Sequence, residues 1–272
     1  MPALMLTWAK PKNFGYDLTF NFVPVRTKDF EWNIGVNAAY SRNEIVSLAN
    51  GKEDDPANGW FIGESTNSIY TYESAGLWKE EDRADMEKFN ANGHDFQIGM
   101  ARPVDQNGDY KIDANNDRTI VGHYDPRWTL GLNTNFTYKG WDLGIQLYGR
   151  MGFKYYDSSV WVGGRYNVRD YDYYNENNKN AAHPKPIYDE GGKDAYYNET
   201  YLKNGSYLKI RNISLGYTFP NRLLTHTGLS ALRMYAQIKN PGYIFSGCKT
   251  LDLDTYSNTY NSGFTFGLNL SF

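Results

Sequence analysis

Trp128-Thr129-Leu130-Gly131-Leu132-Asn133-Thr134-Asn135-Phe136-Thr137-Tyr138 is followed, after Lys139-Gly140, by Trp141-Asp142-Leu143-Gly144-Ile145-Gln146-Leu147-Tyr148-Gly149-Arg150-Met151. Successive side chains of an extended chain point to opposite sides. Trp128, Leu130, Leu132, Thr134, Phe136 and Tyr138 therefore share one face of the first run, and Trp141, Leu143, Ile145, Leu147, Gly149 and Met151 one face of the second. The two residues between the runs have the length and type of a tight hairpin turn. Five more segments keep the same rule: Leu18, Phe20, Phe22; Phe30, Trp32, Ile34, Val36, Ala38, Tyr40; Ile213, Leu215, Tyr217, Phe219; Leu232, Met234, Ala236, Ile238; and Phe264, Phe266, Leu268, Leu270, Phe272. None of these apolar-face positions is charged, whereas the opposite faces hold Asp17, Glu31, Asp142, Arg150, Arg233 and Lys239.

A lipid-facing surface excludes charge, since Lys or Arg at mid-bilayer costs roughly 2–4 kcal/mol, while a wet lumen tolerates it. A soluble β-sandwich also alternates, but connection lengths separate the two. Links at residues 24–28, 139–140 and 220–230 are short; those at 41–127, 152–205 and 241–262 are long. Outer-membrane barrels alternate tight periplasmic turns with extended outer loops, and a Greek-key sandwich has no reason to. Strands of about 9–11 residues carrying aromatics at their ends also suit a bilayer span.

Composition narrows the classes further. The 272 residues include 24 Tyr, 26 Gly, 14 Phe and 7 Trp, which favours strands and turns over a helical bundle. A net charge of −3 gives no basic surface for nucleic acid. The lone Cys248 offers neither an intrachain disulfide nor a multi-cysteine metal site. No run of about 18 apolar residues could cross a bilayer as a helix, and the mean hydropathy of −0.67 is what alternating barrel strands produce. The opening residues, Met1 to Trp8, lack the basic start and apolar stretch expected of a secretory signal.

Residues 204–220, Asn-Gly-Ser-Tyr-Leu-Lys-Ile-Arg-Asn-Ile-Ser-Leu-Gly-Tyr-Thr-Phe-Pro, resemble a signature segment of SusC/RagA-type TonB-linked outer-membrane proteins. Residues 105–109, 117–122, 124–128 and 263–272 agree with that resemblance. It implies an all-β fold, an antiparallel transmembrane sector from a roughly 22-stranded barrel, with long extracellular loops and short periplasmic turns. It further implies an outer-membrane importer of oligosaccharides or peptides. The partners implied are a SusD-like surface lipoprotein, membrane lipid, and TonB acting through a missing N-terminal part. Residues 1–272 would be the C-terminal portion, without plug domain or N-terminal strands, and Phe272 the outer-membrane terminal signal. One stretch, Gln237-Ile238-Lys239-Asn240-Pro241-Gly242, departs from the family pattern. Seven strands fall short of the about eight in the smallest closed barrels, so the chain is expected to be a truncated frame or one part of a split barrel.

Candidate sites lie in the long connections. Asp105, Asn107, Asp109, the Lys111 carbonyl and Asp113 have the oxygen spacing of a calcium loop. Tyr110 stands where that loop has glycine, Asn116 where it has a bidentate Glu, and Asp117 follows one residue later. The alternative is a polar loop without an ion. Trp60, Trp78, Tyr155, Tyr156, Trp161, Tyr166, Tyr173 and Tyr174 are candidates for contact with ligand or partner, because such rings give large apolar area with a polar tip. Equally, an ordered loop packs its own aromatics. Catalysis finds no motif: His94, His123, His183 and His226 are scattered, and Asp54-Asp55 and Glu80-Glu81 lie in hydrophilic stretches. The competing function is a soluble, aromatic-rich carbohydrate-binding β-module.

Overall fold

A computed structural model describes residues 9–49, 51–157, 172–186, 194–248, 251–255 and 260–272. The elements run β1 (Lys10–Arg26), β2 (Phe30–Ser47), β3 (Ser68–Tyr72), β4 (Ser74–Leu77), α1 (Arg83–Ala91), β5 (Ala101–Pro103), β6 (Arg118–His123), β7 (Trp128–Tyr138) and β8 (Trp141–Met151). They continue with β9 (Lys154–Tyr156), β10 (Leu202–Asn204), β11 (Tyr207–Thr218), β12 (Ala231–Ser246) and β13 (Gly263–Ser271). The chain divides into two compact units. One comprises Met1–Lys12, Asn43–Asp125 and Phe153–Asn204; the other Asn13–Arg42, Pro126–Gly152 and Gly205–Phe272.

The second unit is built on a seven-stranded sheet in the order β1-β2-β7-β8-β11-β12-β13. Spatial order follows chain order, so the sheet is a meander with β1 and β13 at its edges. The β7–β8 turn places Lys139 at φ 47° and Gly140 at φ 90°, the positive pair that matches the twist of a two-residue hairpin. A Cβ on Gly140 would also lie 2.8 Å from the Thr218 carbonyl oxygen.

Register turns single-strand alternation into rows. Trp32 pairs with Phe136, Phe136 with Leu143, Leu143 with Leu215, Leu215 with Ala236 and Ala236 with Phe266. The next row on the same face is Ile34, Thr134, Ile145, Ile213, Ile238 and Phe264. Thr134, the hydroxyl in this row, accepts a 2.8 Å hydrogen bond from the Trp32 indole N–H, so both polar groups are satisfied within the sheet. Between these rows, on the other side, run Asn33, Asn135, Gly144, Ser214, Gln237 and Thr265. The apolar rows are not a core: Phe266 is 81% exposed and Leu268 59%. Leu132 and Ile145 are only half-buried.

Three expectations need correction. The strands reach 17 residues in β1, 18 in β2 and 16 in β12, well beyond the span read from alternation. β12 does not stop at Pro241: Lys239 pairs with Asn212 and Gly242 with Ile210, leaving Asn240 and Pro241 opposite Arg211 in a bulge. Asn240 takes φ 49° there, and a bulge is where proline is tolerated in a sheet. Finally, the connection after β2 is not only loop. It contains α1, which buries Met86 and Phe89 on one side and gives way to Gly93 at φ 99°. With Trp78, Phe96, Met100 and Ile112 these two residues form the core of the first unit.

Gly216 sits between Asp142 and Tyr235 on the polar face. Above it Arg233 makes a two-pronged ion pair with Asp142, Nε to Oδ1 at 2.9 Å and Nη2 to Oδ2 at 2.5 Å. A Cβ at Gly216 would come within 2.5 Å of Arg233 Nη2 and 2.6 Å of Asp142 Oδ1. Gly216→Ala is expected to destabilise the chain by about 1–3 kcal/mol. Adding Arg233→Ala should remove most of that further loss, a coupling that thermal unfolding of the two single variants and the double variant will read.

Candidate functional site

The polar face of the sheet carries the charge that the other face lacks. Besides Asp142 and Arg233, it holds a buried ionic cluster near the far ends of β11 and β12. Lys209 is 1% exposed, with its Nζ 2.9 Å from Asp254 Oδ2 and 3.6 Å from Asp252 Oδ1. Tyr207 Oη donates to Asp254 at 3.2 Å, and the Tyr243 hydroxyl bonds Asp252. Arg211 reaches Asp254 through Nη2 at 3.1 Å while its guanidinium lies 3.7 Å from the centre of the Tyr148 ring. Burial pushes the Asp254 carboxyl up, but the hydrogen bond and charge of Lys209, with Arg211 behind them, hold it below the usual carboxylate range. Two cations against two carboxylates thus tie the segment after β12 to the polar side of the sheet. Alternation could not reveal this cluster, because the β11 bulge at Arg211 shifts which residues face that side.

In the first unit, residues 105–117 form a turn that fastens on its own backbone. Asp105 accepts N–H bonds from Gly108 at 2.7 Å and Tyr110 at 2.8 Å, and Asp109 accepts one from Lys111 at 2.8 Å. Asp117 is fully buried and closes the loop, accepting from Gln106 at 2.9 Å and Asp113 at 2.7 Å. Tyr110 adopts φ 60° at the position where a calcium loop has glycine, and its ring packs on Phe89 at 5.5 Å. Asn116 donates to Asp113, so the twelfth position provides no bidentate carboxylate. Among the described residues, no three His, Cys, Asp or Glu side chains are gathered as a metal would require. His94 Nε2 accepts the Ile112 N–H at 3.0 Å, which needs a neutral ring; burial lowers its pKa in keeping.

The aromatic candidates separate by burial. Trp78 is 0% exposed and lies in the core against Phe89 and Phe96, with Arg102 stacked on it at 4.6 Å. It has no surface to offer a ligand, and the reading of it as a contact residue is corrected to a core residue. Tyr155 is buried likewise. Tyr156 is half-buried, and burial pushes its phenol up to about 12. Trp60 and Tyr174 are half-buried and Tyr173 exposed; Tyr173 and Tyr174 belong to a turn held by the Tyr174 N–H to the His183 carbonyl at 3.0 Å. The structure does not gather these rings into one surface: Tyr174 lies against Gly99, while Trp60 is in a turn closed by Asp55. Trp161 and Tyr166 lie outside the described residues. Phe272 is 90% exposed.

No family model matches the chain. Its sequence is 27% identical to the TonB-dependent receptor SusC of Bacteroides thetaiotaomicron, an alignment that covers 96% of this chain and 26% of that protein. It is 26% identical to the TonB-dependent receptor P3 of Formosa agariphila, covering 96% of this chain and 29% of that one. The fold matches the structure of the RagAB peptide transporter with a TM-score of 0.71 at 24% identity, over 97% of this chain and 30% of the other. A RagAB peptide importer in an open-open state matches at 0.70 and 22% identity. The chain thus spans between 26% and 29% of the length of these two curated relatives.

Removing one partner from the Lys209 cluster strands buried charge. Lys209→Ala is expected to cost about 3–5 kcal/mol, whereas Lys209→Ala with Asp252→Asn and Asp254→Asn should recover much of the loss. Because the Asp254 pKa is depressed in the folded chain, its contribution is complete above the unfolded value of about 4 and fades as pH falls through the folded one. Thermal midpoints measured across this range will show a steeper acid decline for the native chain than for Asp254→Asn.

Proposed function

We propose that this chain, similar along 96% of its length to SusC-type TonB-dependent receptors, is a wall sector of an outer-membrane importer. The observation that carries the reading is the pair of faces. From β2 to β13, the paired rows on one side carry no charge and range from half-buried to exposed, while the other side holds Asp142, Arg233 and Lys209. A water-soluble sandwich would cover such a face with a second sheet. In a barrel wall the apolar face meets lipid tails and the polar face lines water, so the ionic groups belong to the lumen.

On this reading the sector supplies wall, lumen surface and outer segments. Energy coupling through TonB, a plug and a SusD-like lipoprotein lid belong to the complete assembly. Oligosaccharides or peptides are the cargo classes; the structurally similar RagAB is a peptide transporter. Transport rather than chemistry is assigned, and the chain is read as a non-enzyme. The soluble carbohydrate-binding module is the weaker reading, since it gives no account of the uncharged, incompletely buried rows from Trp32 to Phe266.

Charge placement tests the assignment. Ile145→Arg and Leu215→Arg, each on the uncharged face, are expected to cost about 2–4 kcal/mol of membrane-embedded stability and to cut recovery in the outer-membrane fraction. Gln146→Arg and Ser214→Arg, one residue away and on the wet face, should assemble normally. Equal recovery of all four from the aqueous fraction would overturn the reading.

We further propose that the 105–117 turn is a calcium loop with donors Asp105, Asn107, Asp109, the Lys111 carbonyl and Asp113, and Asp117 as a substitute for the last ligand. The spacing and the left-handed Tyr110 support it; an ion would have to compete with the backbone N–H groups these carboxylates now accept. Calcium at a few millimolar should raise the thermal midpoint by several degrees, and Asp109→Asn should abolish the rise. An unchanged midpoint leaves a polar turn without an ion.

A further inference from the structure

The apolar side of the second unit's sheet is not smooth. A groove of about 780 Å³ crosses β8, β11, β12 and β13 near the end where the short turns lie. Ala236 lines it and stands in one row between Leu215, 46% exposed, and Phe266, 81% exposed. The small side chain leaves a recess between two tall ones. Met234 borders the recess, and Trp141 and Tyr217, with ring centres 4.8 Å apart, line the end nearest the turns. Among the described residues, no charged one lines the groove. The turns beyond it are different. Trp141 pairs with Tyr138, and the Lys139 ammonium lies 5.2 Å from the centre of the Tyr138 ring, so a cation is held beside a ring of the apolar side. The Thr218 N–H donates to the Gly140 carbonyl at 2.8 Å, which makes the 139–140 turn a hydrogen-bonded neighbour of the strand leading into residues 220–230. That second connection carries the exposed Arg222, and neither connection contains Asp or Glu.

We infer that this groove seats an acyl chain of an anionic phospholipid, whose phosphate is drawn to Lys139 and Arg222 at the rim. The inference rests on the reading of the apolar side as lipid-facing and deepens it, by giving one place on that side a lipid of defined chemistry. Inside a bilayer there is no hydrophobic gain in covering apolar surface, so packing decides which lipid stays. A chain lying over Ala236 touches Leu215 and Phe266 on both flanks as well as the floor, and gains contacts that a flat wall denies it. Trp141, Tyr138 and Tyr217 set the depth, because amphipathic rings settle at the level of the headgroups. Lysine and arginine side chains at that level extend their charged ends toward phosphate while their stems stay on apolar surface. An apolar slot with a basic, carboxylate-free rim is complementary to an anionic amphiphile, and every residue of the site belongs to the second unit.

The test is NMR of the full 272-residue chain in uncharged maltoside micelles, titrated with phosphatidylglycerol, phosphatidylcholine or glycerol 3-phosphate. The methyl of Met234 reports the groove, and the methyls of Ile145, on the same side but outside it, report lipid contact in general. Phosphatidylglycerol is expected to shift Met234 saturably, with a midpoint at a mole fraction about ten-fold below that of phosphatidylcholine. Glycerol 3-phosphate, which has the charge and no chain, should leave Met234 unmoved. Lys139→Gln with Arg222→Gln, both at exposed turn positions, should bring the two lipids to within about two-fold of each other. Ala236→Phe fills the recess and should abolish the saturable shift while Ile145 still contacts lipid. Equal midpoints for the two lipids, a shift that never saturates, a response to glycerol 3-phosphate, or titrations unchanged by the variants would each overturn the inference. In those cases lipid contact at Ile145 leaves the wall reading standing. Lack of lipid contact at both Met234 and Ile145 would overturn the two together.

Discussion

An extended backbone sends successive side chains to opposite sides, and hydrogen-bonded register carries that parity from strand to strand. In this chain the parity separates two chemistries across the sheet from β2 to β13. Rows such as Trp32, Phe136, Leu143, Leu215, Ala236, Phe266 occupy one side, and Asn33, Asn135, Gly144, Ser214, Gln237, Thr265 the other. A one-residue slip of β8 or β12 against β11 would carry Asp142 or Arg233 onto the uncharged side. Everything else in the sheet serves to hold this register: the Lys139-Gly140 turn, the Trp32–Thr134 bond and the Asp142–Arg233 pair over Gly216.

Parity is broken at this point in β11 alone. Arg211 is one residue too many against β8 and faces Asn240 and Pro241 on β12, so the polar side takes Asn212 and Ser214 on one side of the bulge and Lys209 and Tyr207 on the other, while β12 keeps Lys239 and Tyr243 on that side. Beyond it Tyr207, Lys209 and Tyr243 reach the polar side, where Asp252 and Asp254 meet them. The bulge is thus what allows a buried ionic cluster to form at the end of otherwise regular strands. Glycine has a related use, since Gly267 leaves the space over which the Tyr235 ring lies.

Much of this was legible in the chain, and the reasons for the remainder are physical. β7 and β8 match the alternating runs residue for residue, because nothing interrupts their period and two residues with positive φ join them. β11 and β12 run longer than their alternation predicts, since alternation fails at Arg211 and Pro241 while strand pairing continues on both sides of the bulge. The helix α1 had its signals, acidic residues at 80–82, Met86 and Phe89 three apart, and Asn92-Gly93 as a stop, but they lay inside a stretch read as loop. Trp78 illustrates the limit of aromatic content as a guide to binding, because burial among Phe89, Phe96 and Met100 cannot be read from its neighbours in sequence. The Thr71–Glu199 hydrogen bond has no sequence signal at all, as the two residues are brought together only by tertiary packing of β3 against a 3-10 turn.

The central claim is that the uncharged side of the sheet meets hydrocarbon. The most direct measurement is paramagnetic broadening of isoleucine and leucine methyl signals in the lipid-embedded chain. A nitroxide carried on the acyl chain should broaden Ile145, Ile213, Leu215 and Ile238, while a water-soluble gadolinium chelate leaves them sharp. Protection from the lipid nitroxide together with broadening by the aqueous agent, or protection from both, would contradict the account.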